Sequence, residues 1–441
     1  MTRRSRWLLA LLAALLALGA VLHWASRPQR VTSTVLDGVG AALGLELTAS
    51  GIGEYRLRGE PRLVVRDLVA RQPGAPHALF RAGRLDIALP WSTLRAGGDV
   101  LAATRLEVDD ATLDLPALRR WQATRPPAAA PRIPTLTNGL QVRRSAVVDD
   151  GWRIDGLSLD TPHVEPRRPV DADLSGTLHI ADMRAPFDLS LAMSRPTGDA
   201  QATLRGTLEA TAPNWRLPAT VHAQGQLRLG AEPARLDDLR FGAVARLIDD
   251  TRTVPFTAGL AGRLHVDKGL RLERAGLALR GEGVVPTLDA GGSFAWNRQL
   301  AVELDGMLAQ WPAAWPALPA PLGRPRTAVP FALAYAGPLD LSGIAQLEAR
   351  HEGASVDTAF SLPEILAWND TRAAGSPLPP LSGRMSADRI EIAGATLEGV
   401  EVVIEEDPTD RPPAAATDAD TVETSGDSNP GRDSRGAADG R

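Results

Sequence analysis

Read for the spacing of its apolar residues, the chain changes character twice. Residues 7–24 (WLLALLAALLALGAVLHW) are an uncharged apolar run of eighteen residues. As a helix this run spans ~27 Å, close to the ~30 Å hydrocarbon core of a bilayer. Next, Val31–Leu45 sets Val35, Leu36, Val39 and Leu43 on one helical stripe, with Gly44 as a stop. From about Glu54 the period falls to two. In GRLDIAL (83–89), Leu85, Ile87 and Leu89 alternate with other residues and predict a strand. Leu106 and Val108, a turn through Asp109-Asp110, then Leu113 and Leu115 predict a hairpin. A short helix is expected over Pro116 to Ala123, followed by a Pro/Ala-rich linker at 125–136.

From 137 to 404 the pattern predicts strand after strand, interrupted by Pro/Trp-rich loops at 311–326 and Gly/Pro turns at 375–380. One motif recurs, apolar-x-Gly-x-apolar-x-apolar. It occurs at Leu174-Gly176-Leu178-Ile180, Leu204-Gly206-Leu208-Ala210, Ala223-Gly225-Leu227-Leu229 and Leu260-Gly262-Leu264-Val266. It returns at Leu341-Gly343-Ala345-Leu347 and Leu381-Gly383-Met385-Ala387. Because side chains alternate along a strand, each glycine is expected to leave a notch on the apolar face. Two readings stay open: the glycines relieve crowding where sheets coil or pack, or they floor a groove that admits a ligand. The fold class expected is all-β after an N-terminal transmembrane helix, an elongated antiparallel curled sheet or groove with few short helices. About twenty strands would extend such a sheet roughly 95 Å. An apolar face that long needs a second layer, its own curling or a ligand to cover it.

Composition and charge narrow the setting. Arg3, Arg4 and Arg6 precede the apolar run and Arg27 and Arg30 follow it, which favours a cytoplasmic amino end. Trp7 and Trp24 sit at its two ends as interfacial anchors. Residues 1–30 are therefore read as a cytoplasmic stub and membrane anchor. The rival is a cleaved signal peptide ending near Ala17-Leu18-Gly19. Either way the remainder is exported. Region 31–124 then holds the helix and first strands, and 137–404 the extended β region. Residues 405–441, with ten acidic and four basic side chains, form a tail whose composition predicts disorder. The net charge of −5, with a single lysine (Lys268), lacks the basic footprint of a nucleic-acid binder. The absence of cysteine excludes a disulfide scaffold, a thiolate metal site and a thiol nucleophile.

Candidate chemistry is sparse. Gly38-Val-Gly40-Ala-Ala-Leu-Gly44 has no strand before it and no βαβ unit around it, so helix packing accounts for it better than a dinucleotide site. No GxxxxGK[ST], GxSxG or HExxH occurs. His179, His222 and His265 lie 43 residues apart but between apolar neighbours, which puts them on the opposite, solvated face rather than around a metal. Asp109-Asp110, Asp149-Asp150 and Asp249-Asp250 read as turn residues rather than a glycosidase pair. Trp311 and Trp315 are expected to anchor a loop on the sheet. The expectation is a non-enzyme with no cofactor and no metal.

Taken together, the anchor, the short helix, GIGEYRLRGEPRLVVRDLVARQP (51–73), LFRAGRLDIALPWSTLRAGG (79–98) and TRLEVDDATLDLPAL (104–118) follow a recognisable order. They resemble the N-terminal region of the AsmA-like family of Gram-negative envelope proteins. LSGRMSADRIEIAGATLEGVEVVIEED (381–407) resembles a second stretch of that family. The resemblance implies a single-pass inner-membrane protein with its bulk in the periplasm as an extended β-groove. It also implies a role in outer-membrane biogenesis, through binding or conducting phospholipid, with other envelope proteins as further partners. The alternative is a scaffold for outer-membrane proteins that carries no lipid. The chain departs from the family in running soon after 407 into a disordered tail, where longer members are expected to have further strands.

Overall fold

The computed structural model describes residues 36–404 apart from 37–39, 42, 57–59, 92–101, 125–134, 229–233, 250–251, 267–268, 298, 316–324, 339–340, 372–379 and 393–394. The expected anchor with Trp7 and Trp24, the linker core and the tail after 404 lie outside the described residues. Among the described residues no helix is long and apolar enough to cross a membrane.

The structure is mostly β. In chain order come β1 (Glu46–Arg56), β2 (Arg62–Arg71), β3 (Ala78–Ala88), the short β4 (Ala102–Ala103) and β5 (Arg105–Asp114). Helix α1 (Leu115–Ala123) and the short β6 (Thr135–Leu136) follow. The central run is β7 (Leu140–Asp149), β8 (Trp152–Thr161), β9 (Val170–Ile180), β10 (Met183–Met193), β11 (Asp199–Ala212) and β12 (Trp215–Arg228). It continues with β13 (Ala234–Ile248), β14 (Thr253–Val266), β15 (Leu270–Gly281), β16 (Leu288–Trp296) and β17 (Leu300–Leu308). The last elements are β18 (Val329–Gly337), β19 (Ile344–His351), β20 (Ala354–Ser361), helix α2 (Leu362–Thr371), β21 (Leu381–Ile392) and β22 (Ala395–Ile404).

Twenty of these strands form one sheet, and β4 pairs with β6 separately. Each strand of the large sheet pairs antiparallel with the next one along the chain, with one exception. β5 and β7 are parallel, and α1 makes the crossover between them. The regions on either side of the expected linker thus belong to one sheet.

Local sequence explains the helical pieces. Leu36, Gly40, Ala41 and Leu43 are helical, and Gly44 ends the segment at φ 58°, as its sequence predicts. Leu45 N–H bonds to the Gly40 carbonyl at 2.8 Å and Gly44 N–H to that of Ala41 at 3.2 Å, which satisfies two otherwise orphaned carbonyls. Helix α1 starts where Asp114 Oδ1 accepts from Ala117 N at 2.7 Å, and Ala117 packs with Ala70 and Leu79. Trp121 Nε1 donates to the Leu43 carbonyl at 3.0 Å and ties α1 to the first helical segment. Helix α2 and the start of β1 at Glu46, rather than near Glu54, were not expected from the sequence.

The Asp109-Asp110 turn is a correction. β5 runs straight through both residues, and Asp110 takes φ 53° while the pairing with β3 and β7 keeps its register on either side of it. The same four-residue unit, two charged residues (or Asp-Gly) between apolar or small ones, recurs along the sheet. It occurs at Val65-Arg-Asp-Leu68, Val108-Asp-Asp-Ala111, Val142-Arg-Arg-Ser145, Ile154-Asp-Gly-Leu157, Leu236-Asp-Asp-Leu239 and Leu272-Glu-Arg-Ala275. In each, the third residue has φ between 48° and 62°. This positive-φ residue lets residues i and i+3 face the same side. Val65, Leu68, Val108 and Ala111 share one buried cluster, as do Leu239, Leu272 and Ala275 in another. The orphaned Ala111 N–H of one such unit donates to the buried Ser145 hydroxyl at 3.2 Å.

Ion pairs hold the charged bulge residues. Asp237 is gripped by Arg228 of β12 and, at 3.0 Å, by Arg263 of β14. The Arg228 guanidinium, hydrogen-bonded to Oδ2, holds the Asp237 carboxyl below the ordinary aspartate range, against the opposing effect of burial. A carboxyl with a depressed folded-state pKa contributes stability above its unfolded pKa and loses it as pH falls through the lower folded value. Asp237→Asn should therefore cost about 1 kcal/mol or less near neutrality, solvent screening limiting the loss. The gap to the native protein should close below about pH 3.9. Denaturant midpoints of both proteins across pH 2–7 measure this; a gap that persists unchanged at the acid end would refute it.

Candidate functional site

Strand register assembles the apolar face. Neighbouring strands pair Ala172 with Leu191, then Leu204, Ala223, Phe241, Leu260 and Leu277 in turn. The row continues through Ala290, Gly306, Phe331, Ala349, Val356, Met385 and Val402. Paired residues project to the same side, so fourteen strands from β9 to β22 contribute one residue each and none is polar. All seven phenylalanines of the chain lie on this face, paired with or packed against its small and aliphatic residues. The alternate positions carry the polar face, including Ser190, Arg205, His222 and Glu348.

No second sheet covers the apolar face among the described residues. Each buried cluster in the sheet draws on strands adjacent in the meander, never on strands from distant parts of it. Most of the face is half-buried by its own neighbours. At one border α1 and Trp121 pack on Leu79 and Phe80. At another the 309–315 loop packs Trp311 against Leu308 and Val329, while Trp315 Nε1 donates to the Val284 carbonyl at 2.9 Å. The two rings meet edge to face at 5.2 Å, so this pair anchors the loop on the sheet, as expected.

The strand-borne residues singled out in the sequence fall on this face. Leu174 pairs with Leu189, Leu178 with Ala185 and Ile180 with Met183. Leu208 joins the Ala219–Val221–Ala245 cluster, and Leu227 pairs with Leu236. Leu264 pairs with Leu272, Val266 with Leu270, and Leu381 with Phe360. Leu204, Leu260 and Met385 belong to the long row. Leu341 departs from the expectation, because it sits in a turn before β19 at φ 60° and still packs against the Leu300–Tyr335 cluster.

Of the six motif glycines, none opens onto free space. A Cβ at Gly176 would meet Phe187 Cζ at 3.1 Å, and one at Gly225 the Leu236 side chain at 2.9 Å. At Gly262 the obstacles are Leu272 and the Glu273 carbonyl, both at 3.0 Å, and at Gly343 the Tyr335 hydroxyl at 3.1 Å. At Gly206 and Gly383, with φ 155° and 151°, a Cβ would lie 2.0 and 2.2 Å from the Asp188 and Asp357 carbonyls of the adjacent strands. Gly176, Gly225 and Gly262 lie against the bulged backbone at Asp155, Asp237 and Glu273 respectively. These glycines admit a displaced neighbouring strand. Gly242 and Gly276, where a Cβ would meet nothing within 4 Å, are on the polar face.

On the polar face Asp86 is 2% exposed and accepts two bonds from Arg62 and one from Arg84. Arg84 also pairs with Glu107 and Asp109. His179 stands 3.4 Å from Asp155, and His265 3.4 Å from Glu273. With His222 they occupy β9, β12 and β14, not neighbouring strands. Among the described residues no group of three or more His, Asp or Glu is placed to hold a metal ion.

A cavity of about 570 Å³ brings two distant parts of the sheet together. One wall is Leu115, Pro116, Arg119 and Arg120 of α1 with Asp149, Asp150 and Trp152; the other is Val266, Gly269, Leu270, Trp296 and Asn297. A larger hollow of about 1050 Å³ lies near one end of β10–β15, with Pro186, Pro218, Pro255, Thr207, Thr220 and Val244 in its lining. Comparison with models of known protein families, with curated proteins and with solved structures finds no match.

Proposed function

We propose that this chain is an inner-membrane-anchored periplasmic protein that binds phospholipid along a curled apolar β-groove and so supports outer-membrane biogenesis. The observation that carries the reading is the fourteen-residue apolar row from Ala172 to Val402, with no covering sheet among the described residues. Such a face calls for an apolar occupant, since soluble proteins rarely leave contiguous apolar patches of this extent open to water. Curling is supported by the cavity that α1 and Trp152 share with Val266 and Trp296, residues far apart in strand order. The anchor and the envelope setting rest on residues 1–30 and on the resemblance over 51–118 and 381–407.

The groove predicts a sided effect. Leu260→Glu or Phe331→Glu, on the row, should reduce phospholipid co-purified with the full chain severalfold. Thr257→Glu, on the polar face next to Leu260's strand neighbours, should leave it unchanged. Mass spectrometry of extracted lipid, with far-UV circular dichroism on the same preparations, measures both. Undiminished lipid in folded Leu260→Glu and Phe331→Glu proteins would favour a scaffold that works through its sheet edge. That second reading draws on β22, the last strand among the described residues, where Leu397, Val402 and Val403 are 45%, 37% and 54% exposed.

A further inference from the structure

The geometry points to the cavity between α1 and the β14–β16 part of the sheet as a binding site for an amphiphile with a net-anionic phosphate head, and to Arg120 as the group that holds the head. The inference rests on the apolar-groove reading and adds to it a fixed place and a charge preference. Trp152, Val266, Leu270 and Trp296 all project from the apolar face, Trp152 beside Ile180 and the other three in one register row. Val266 is 43% exposed and thus faces open space rather than a packed neighbour. The two walls come from strands six apart in the meander, so the space between them is a gap in the fold, of a size typical of small-molecule sites.

Charge decides which apolar molecule fits. Arg119 is neutralised by a two-bond pair with Asp149, at 2.8 and 2.7 Å. Asp150, at the exposed hairpin tip, is already engaged. Arg120, in the last turn of α1, is exposed and has no hydrogen-bond or ion-pair partner among the described residues. A bare hydrocarbon would leave this guanidinium unused, and a cationic head would be repelled by it. A phosphate ester offers the planar fork of donors a two-point acceptor, while its chain lies among the two tryptophans and Leu270.

The test uses the full chain in a neutral detergent, analysed by native mass spectrometry after exposure to an equimolar mixture of phosphatidylglycerol and phosphatidylcholine. The native protein should retain phosphatidylglycerol preferentially. Arg120→Gln should lower that preference roughly tenfold, and Arg120→Lys should keep much of it. The side chain is exposed, so both variants should fold, and circular dichroism checks this. Equal retention of the two lipids by the native protein, or an unaltered preference in Arg120→Gln, overturns the site and leaves the groove reading standing. Retention of neither lipid overturns the groove reading and the site with it. If inorganic phosphate at matched concentration displaces phosphatidylglycerol completely, the site is one for free phosphate, and the amphiphile assignment is wrong.

Discussion

Gly206→Ala should unfold the middle of the sheet or destabilise it by roughly 3–5 kcal/mol, from a clash and backbone strain acting together. The new methyl would lie 2.0 Å from the Asp188 carbonyl oxygen and 2.8 Å from Leu189 Cα, both backbone atoms that no rotamer can move. The residue also holds φ 155°, which L side chains rarely adopt. Gly276→Ala is the matched control, because nothing lies within 4 Å of its Cβ position. That change should fall within about 0.5 kcal/mol of the native protein. Chemical unfolding of the three proteins decides the matter. Equal midpoints for Gly206→Ala and Gly276→Ala would mean that β10 and β11 separate readily, and that the close approach contributes little.

The second large effect concerns Asp86. Asp86→Ala removes the carboxylate closest to both Arg62 and Arg84, leaving Glu107 4.0 Å from Arg62 and Glu107 and Asp109 beside Arg84. A nearly buried partner removed from a charge cluster costs several kcal/mol, and the partial exposure of both arginines reduces this to about 2–3 kcal/mol. Asp289→Ala removes a similar two-bond pair, with Arg280 at 2.6 and 2.9 Å, from a carboxylate that is 66% exposed. It should cost less than about 1 kcal/mol. The contrast sets a buried carboxylate shared by two arginines against an exposed one held by a single arginine, and comparable losses at both sites would refute it.

The strands were legible because their leucines alternate: Leu85 and Ile87 stand on the apolar face, as the spacing in GRLDIAL implies. The positive-φ kinks were hidden by a chemical ambiguity. Asp-Asp marks a turn at Asp149-Asp150, where the chain reverses into β8, and a positive-φ kink at Asp109-Asp110, where it does not. What separates them is the residue that follows: Ala111 resumes the apolar face, whereas Gly151 does not. The repeated four-residue unit was the available signal. For the glycines the sequence left two readings open for a related reason, since alternation assigns a side but says nothing of a neighbour displaced toward it. Row membership was out of reach for Phe241 and Phe331, because register depends on turn lengths and bulges that no single strand encodes. The Arg120 cavity was further still, joining α1 to strands more than a hundred residues away.

The meander also fixes a sequence of events. Every junction in the sheet joins a strand to the sheet strand completed just before it, and several of the connecting turns, as at 150–151, 181–182 and 213–214, are only two residues long. Closing such turns carries a small entropic penalty and needs no distant segment to arrive first. A chain leaving a narrow exit with its amino end first could lay each new strand on an edge already formed. The growing edge would advance from β1 towards β22, pausing at the β5–β7 step until α1 has swung the chain across. In such a protein the order of emergence becomes the order of assembly, and an unsatisfied backbone edge is exposed at one moving front rather than at many sites at once.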